Sequence, residues 1–311
     1  MKNFLIIGFQ LFALTNLIGQ TTAVKLPFYD GFEYPVDKEL TPMGTPAGTI
    51  VPGQGAWVYA SELTHNAPMV VAQPWANSKG LPACKGNAIR YRAGNEDPII
   101  VFEPQGATSG SIYASFLFRI NTWKTCDESE FYQTWIYNGV KDYIFSFIKT
   151  EDGWPDLKNT YSASIFIKRE DKGDGFTMGI AETNAPDKAI FSPQIFELGK
   201  DILVVIQYKY TAEEGTGYLW INPTVSSTEP EATVNTLADA RADKKIKRTT
   251  PVIGSLDKIR INKNTNLKTP DITMDEVRIA NTWHEVVGMP APGLTPKLAP
   301  TKPKKVIKKS K

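Results

Sequence analysis

The chain has 311 residues, 41% of them hydrophobic and 22% charged, the balance of a globular protein rather than a disordered or fibrous one. Its formal net charge of +2 hides a division, because eight of the 35 Lys and Arg are Lys2 and the seven lysines of the last 23 residues, which hold no acid. The remaining 27 face 33 Asp and Glu, a net of −6 over Asn3 to Gly288, so the overall sign gives no ground for a nucleic-acid footprint.

Lys2 followed by the mostly apolar stretch Phe4 to Ile18 has the charged start and short apolar centre of a secretory signal peptide. A spanning helix needs roughly 20 apolar residues, so no transmembrane span is expected here or later in the chain. Cleavage is expected between Gly19 and Ala23, which makes residues 1–23 a signal peptide and the product secreted or periplasmic. In an oxidising compartment the two cysteines, Cys84 and Cys126, are candidates for one disulfide closing a loop of some forty residues. Such a loop would contribute about 3 to 4 kcal/mol. His65 and His284 are the only histidines, too few for a zinc site.

From Ser111 the chain is written in a period of two. Ile112, Ala114, Phe116, Phe118 and Ile120 fall on one side of an extended strand, with Tyr113, Ser115, Leu117 and Arg119 on the other. The same rhythm predicts strands at 131–138, 143–149, 162–169, 202–210, 218–222, 256–261 and 274–280, with Gly, Pro, Asn or Asp near the breaks. Between them, 223–251 carries the weakest pattern, with a short helix expected at 236–243 and a basic cluster at Lys244 to Arg248 that reads as solvated surface. The fold class is therefore all-β: a two-sheet antiparallel sandwich occupying residues 24–288 as one domain. Residues 289–311, a Pro-rich spacer running into a lysine block, are expected to be a disordered tail, solvated or bound to an anionic surface.

Two stretches carry a resemblance. LPFYDGFEYP near the start, and LDKIRI followed by TMDEVRIANTWHEV near the end, resemble the opening and closing strands of concanavalin A-like, laminin-G-like jelly-roll domains of exported Bacteroidetes-type bacterial proteins. The resemblance covers roughly Pro27 to Val287 and implies two packed sheets of six or seven strands, with the chain ends side by side. It implies a fold and not a ligand.

Within that frame the residues suggest three kinds of site. Asp30 shares the parity of Phe28 and Phe32, and Asp275 that of Val277 and Ile279, so both carboxylates are expected to lean toward the apolar side. There they must be hydrogen-bonded, paired or bound to a cation. A shared structural calcium (Ca2+) on Asp30 and Asp275 is one reading, and capping by backbone N–H groups or by Arg278 is the other. The same sandwich hosts laminarinase-type glucanases, whose paired acids stand about 5 Å apart. The nearest counterpart, Glu128 and Glu130, shares a face, but Cys126 occupies the position of a third acid, so the pattern is incomplete.

Trp154, Trp135 and Tyr137, the last two sharing a face with Gln133, are the carbohydrate-binding candidates, since flat aromatic rings beside polar groups suit sugars. Trp57, Trp123, Trp220 and also Trp135, all in or beside strands, read individually as core more than as sugar-facing, which leaves Trp154 the better candidate. The functional expectation is a non-catalytic module recognising a glycan or cell-surface polysaccharide. The alternatives are a structural or adhesive scaffold and a glycan-cleaving enzyme.

Overall fold

The computed structural model describes residues 23–40, 55–59, 67–73, 75, 79–91, 97–105, 109–123, 141–150, 159–183, 185–211, 215–235, 256–262 and 270–292. Among them, fifteen strands form two antiparallel sheets. Sheet I runs in the order β13 (Val234–Asn235), β12 (Gly215–Ile221), β11 (Ile202–Tyr210), β6 (Gly110–Thr122), β15 (Asp271–Ala280), β4 (Ala88–Tyr91) and β3 (Met69–Val71), and β1 (Phe28–Asp30) also pairs with β15. Sheet II runs β10 (Ile190–Phe191), β9 (Phe176–Ala181), β8 (Asn159–Arg169), β7 (Lys141–Thr150), β14 (Leu256–Ile261), β5 (Pro98–Gln105) and β2 (Trp57–Tyr59). The expected two-sheet sandwich is present, with eight and seven strands.

Alternation is what holds the layers together. Ile112, Ala114, Phe116, Phe118 and Ile120 of β6 all lie in the core between the sheets, with Phe145, Phe147, Ile165, Ile180, Ile259 and Ile261 opposite. The Phe116 and Phe145 rings approach to 5.0 Å. Each such fully buried side chain contributes roughly 1.5–3 kcal/mol by leaving water. Trp57, Trp123 and Trp220 are buried, as their positions in or beside strands suggested.

The first and last strands meet. Phe28, Tyr29 and Asp30 pair with Ile279, Arg278 and Val277. β15 is thus an interior strand, held by β6 along one edge and by β4 and β1 along the other. The outer face of sheet I is itself buried. Tyr113, Leu117, Leu203, Val205 and Trp220 form a second apolar cluster with Leu81 and the short helix α1 (Trp283–Val286). The Trp283 ring lies 5.2 Å from that of Trp220, and its Nε1 donates to the Ser226 carbonyl at 2.9 Å. Ser115 Oγ donates to the Val286 carbonyl at 2.7 Å. Gly288 ends the helix at φ 68°, where a Cβ would stand 2.8 Å from Pro82 Cγ, so only glycine lets the helix end and the 79–86 segment close over the sheet.

Candidate functional site

Two polar regions stand out against this apolar frame. The first is the bulge in β15. Its register with β6 shifts between Asp275 and Arg278, and Glu276 takes φ 57°. One extra residue reverses side-chain parity. Asp275 therefore pairs opposite Leu117 and faces the outer cluster, while Val277 and Ile279 face the core. The expectation that Asp30 and Asp275 lean toward the same side is corrected by this bulge.

Asp30, on the core side, is held by three donors: the Phe32 N–H at 2.7 Å, Tyr34 OH at 2.5 Å and Trp57 Nε1 at 2.8 Å. Burial raises its pKa, and those three hydrogen bonds pull it back. Asp275 accepts from the Glu276 N–H at 2.6 Å and from Trp75 Nε1 at 2.8 Å. Burial pushes its carboxyl up to about 8, with the neighbouring Glu276 carboxylate adding to the rise. Asp30 thus accepts from N–H and O–H donors and Asp275 from N–H donors, most of them aromatic side chains.

Glu276 completes the group. It accepts from Tyr29 OH at 2.8 Å, from the Lys85 N–H at 3.0 Å and from Arg278 Nη2 at 2.5 Å, and the Arg278 guanidinium lies 4.6 Å from the centre of the Tyr29 ring. Cys84 Sγ and one oxygen each of Asp275 and Glu276 lie within 4.8 Å of one another, which makes them the residues placed to hold a cation. Two carboxylates and a thiol are a mixed hard and soft set, poor in the oxygens that calcium takes. The Cys84 thiol is pushed up by burial and by Glu276 and Asp275. The other member of the expected disulfide, Cys126, lies outside the described residues.

The second region is the outer face of sheet II. Along β14, Ile259 and Ile261 enter the core, which turns Lys258, Arg260 and Asn262 outward. Asn262 Nδ2 donates to Ser146 Oγ at 3.0 Å, and Ser146 Oγ donates to Ser164 Oγ at 2.8 Å, a row crossing β14, β7 and β8. Arg260 pairs with Asp97 and donates to Tyr161 OH at 3.2 Å. Lys258 pairs with Asp257 at 3.0 Å, and Lys168 with Glu170 at 3.3 Å.

At the edge, the Phe191 ring lies over Gly179, where a Cβ would meet its Cδ1 at 2.9 Å. The Lys141 and Lys168 ammoniums stand 5.4 and 5.8 Å from the centre of that ring. The region combines hydroxyl, amide, guanidinium and ammonium groups, some of them paired with Asp97, Asp257 and Glu170, with an aromatic ring at its edge.

Trp154, Trp135, Tyr137 and Gln133, and the acids Glu128 and Glu130, lie outside the described residues. Asn262, Ser146 and Ser164 were missed by the sequence reading. The available signal was Lys258-x-Arg260-x-Asn262, three polar residues at alternate positions in a strand whose other face is isoleucine.

No family model matches the chain, and no curated protein does. Among solved structures it is similar to an endo-β-1,4-glucuronan lyase from the fungus Trichoderma reesei, at 14% identity over 72% of this chain and 92% of the lyase, with a TM-score of 0.38. It is similar to the alginate lyase Aly36B at 10% identity over 66% of this chain and 84% of that one, with a TM-score of 0.39. The T. cruzi calreticulin globular domain is a third, at 10% identity, 75% and 86% coverage and a TM-score of 0.39. The sandwich itself rests on its own strand pairing.

Proposed function

We propose that the chain is an exported, non-catalytic sandwich domain that recognises glycan through the outer face of sheet II. One observation carries this reading: at the edge of that face the half-buried ring of Phe191 stands beside the Lys141 and Lys168 ammonium groups, while the outer face of sheet I is closed by apolar side chains. Sugars offer flat apolar patches rimmed by hydroxyls, and this is the matching chemistry. Gln133, Trp135 and Tyr137 precede β7 in the chain and Trp154 follows it, and β7 supplies Ser146 to the row.

A glycan array probed with wild type, Phe191→Ala and Trp154→Ala tests the proposal. Signal on wild type that falls in the variants supports it, and no signal on any glycan leaves the scaffold reading in its place. Release of reducing or unsaturated sugar ends by wild type, abolished in Glu128→Gln, would replace recognition by cleavage. The expected calcium is tested by thermal unfolding with added calcium and with chelator. An upward shift with the ion that Asp275→Asn removes supports it, and coincident curves remove it.

A further inference from the structure

The basic side chains described on sheet II are of two kinds. Lys168 pairs with Glu170 at 3.3 Å, Arg169 with Asp174 at 3.0 Å, Lys258 with Asp257 at 3.0 Å, and Arg260 with Asp97. Lys141 is the exception. Among the described residues its ammonium meets no carboxylate and only the ring of Phe191, whose centre lies 5.4 Å from Nζ. Its neighbour makes this arrangement costly. Lys141 on β7 stands directly opposite Lys168 on β8, and since Ile165 and Ile167 enter the core, both lysines leave the sheet on its outer face. Like charges so placed repel. Glu170 is the one carboxylate described beside them, and it is already engaged by Lys168 and by Thr177 Oγ1, which donates to it at 3.0 Å. An acid at position 141 would have paired with Lys168 across the strands, so the lysine there leaves one positive charge uncompensated.

The ring beside that charge is set in advance. Phe191 on β10 is the register partner of Gly179 on β9, and a Cβ at Gly179 would meet its Cδ1 at 2.9 Å. The bare backbone of Gly179 therefore lets the ring lie down on the sheet, within 5.4 and 5.8 Å of the two ammoniums. Phe191, Lys141 and Lys168 are each only partly buried, so a ligand can reach all three from solvent. A solvated cation contact with a ring is weak, and the ammoniums can turn from it to a full negative charge.

We infer that this edge is the subsite for an acidic sugar, the Phe191 ring taking the apolar face of the pyranose and the Lys141 ammonium its carboxylate or sulfate, with Lys168 alongside. This rests on the reading of the sheet II face as a glycan surface and names the class of glycan: a polysaccharide whose stacked ring carries a negative charge.

The test is isothermal titration calorimetry of the full chain in about 0.15 M salt, where long-range attraction is screened. Two matched pairs serve as ligands: oligogalacturonate and its methyl ester, which differ in the free carboxylate, and dextran sulfate and dextran, which differ in the sulfate. At least one acidic member should bind about tenfold tighter than its neutral counterpart, and which one does so tells carboxylate from sulfate. Lys141→Gln and Phe191→Ala should each weaken that binding about tenfold, and Lys168→Gln less, because Glu170 already holds its ammonium. Lys141→Arg, which keeps the charge, should stay within about threefold. Lys209→Gln makes the same change of charge at an exposed position on the outer face of sheet I and should leave binding unchanged. The melting temperature of Lys141→Gln should not drop, since the substitution relieves the repulsion from Lys168.

Equal binding of the acidic and neutral members overturns the inference, as does unchanged binding in Lys141→Gln. So does an equal loss in Lys141→Gln and Lys209→Gln, which marks a general attraction between cations and polyanions. If the array shows binding to neutral glycans alone, the subsite fails and the recognition reading stands. If the array shows no binding at all, both fail.

Discussion

The two outer faces of this sandwich solve opposite problems with the same strand geometry. On sheet I the outward residues of β6 and β11 are Tyr113, Leu117, Leu203 and Val205, and a helix and two chain segments are laid over them as a second core. On sheet II the outward residues of β14, β7 and β8 mix the apolar Ile148 and Phe166 with Lys258 and Arg260, which pair with Asp257 and Asp97, and with Asn262, Ser146 and Ser164, which bond in a row that leaves Asn262 Oδ1 without a donor. The difference teaches where to look for function: a face sealed by apolar side chains contributes stability, whereas buried polar side chains that do not satisfy each other reduce stability and call for another explanation.

The largest effect that would sharpen this contrast comes from the bulge on the sealed side. Asp275 has a folded-state pKa near 8 against an ordinary 3.8, so the unfolded chain ionises it while the folded chain keeps the proton. The contribution of this group to stability is therefore greatest below about pH 4, falls as pH rises toward 8 and levels off above it. At ~1.4 kcal/mol per unit the loss is on the order of 5 kcal/mol. Urea unfolding at pH 5 and pH 8.5 reads it, and Asp275→Asn should flatten the difference; an unchanged slope in that variant assigns it elsewhere.

Next, Trp283→Ala should cost about 3–5 kcal/mol by opening the seal over Trp220. A loss below about 1 kcal/mol would mean that the helix merely rests on the sheet. Ser115→Ala, which leaves the Val286 carbonyl without its donor, is expected to cost about 1–2 kcal/mol by the same measurement. Smallest is Lys141→Ala on the other face, within about 0.5 kcal/mol in stability, since its contact with Phe191 lies at the surface. If Lys141→Ala destabilises as much as Trp283→Ala, the division between a sealing face and a recognising one is wrong.

Much of the fold was legible because alternation is a one-dimensional signal. β11 at 202–210 and β14 at 256–261 fall where the pattern put them, and β6, β7, β8 and β15 extend the predicted spans by a few residues. β9, Phe176–Ala181, went unpredicted although Phe176, Met178 and Ile180 enter the core, because Thr177, Gly179 and Ala181 between them give six residues only a faint alternation. The candidate site was less legible. A bulge adds one residue without changing composition, and that single insertion moved Asp275 to the opposite face from the one its parity indicated. Asn262 sits just past its strand, and its unsatisfied oxygen is something only packing reveals. The aromatic and acidic candidates around β7 lie outside the described residues.

The late arrival of β15 has a consequence for how the molecule comes into being. The strand that docks against β6, β4 and β1 is the last of the fifteen to leave the ribosome, so a nascent chain lacks the middle of one layer until about residue 280 has been made. Pairing over so long a sequence separation is slow, and it keeps the growing polypeptide open to chaperones. A truncation that removes Asp271 to Ala280 would leave two half-sheets with nothing to join them.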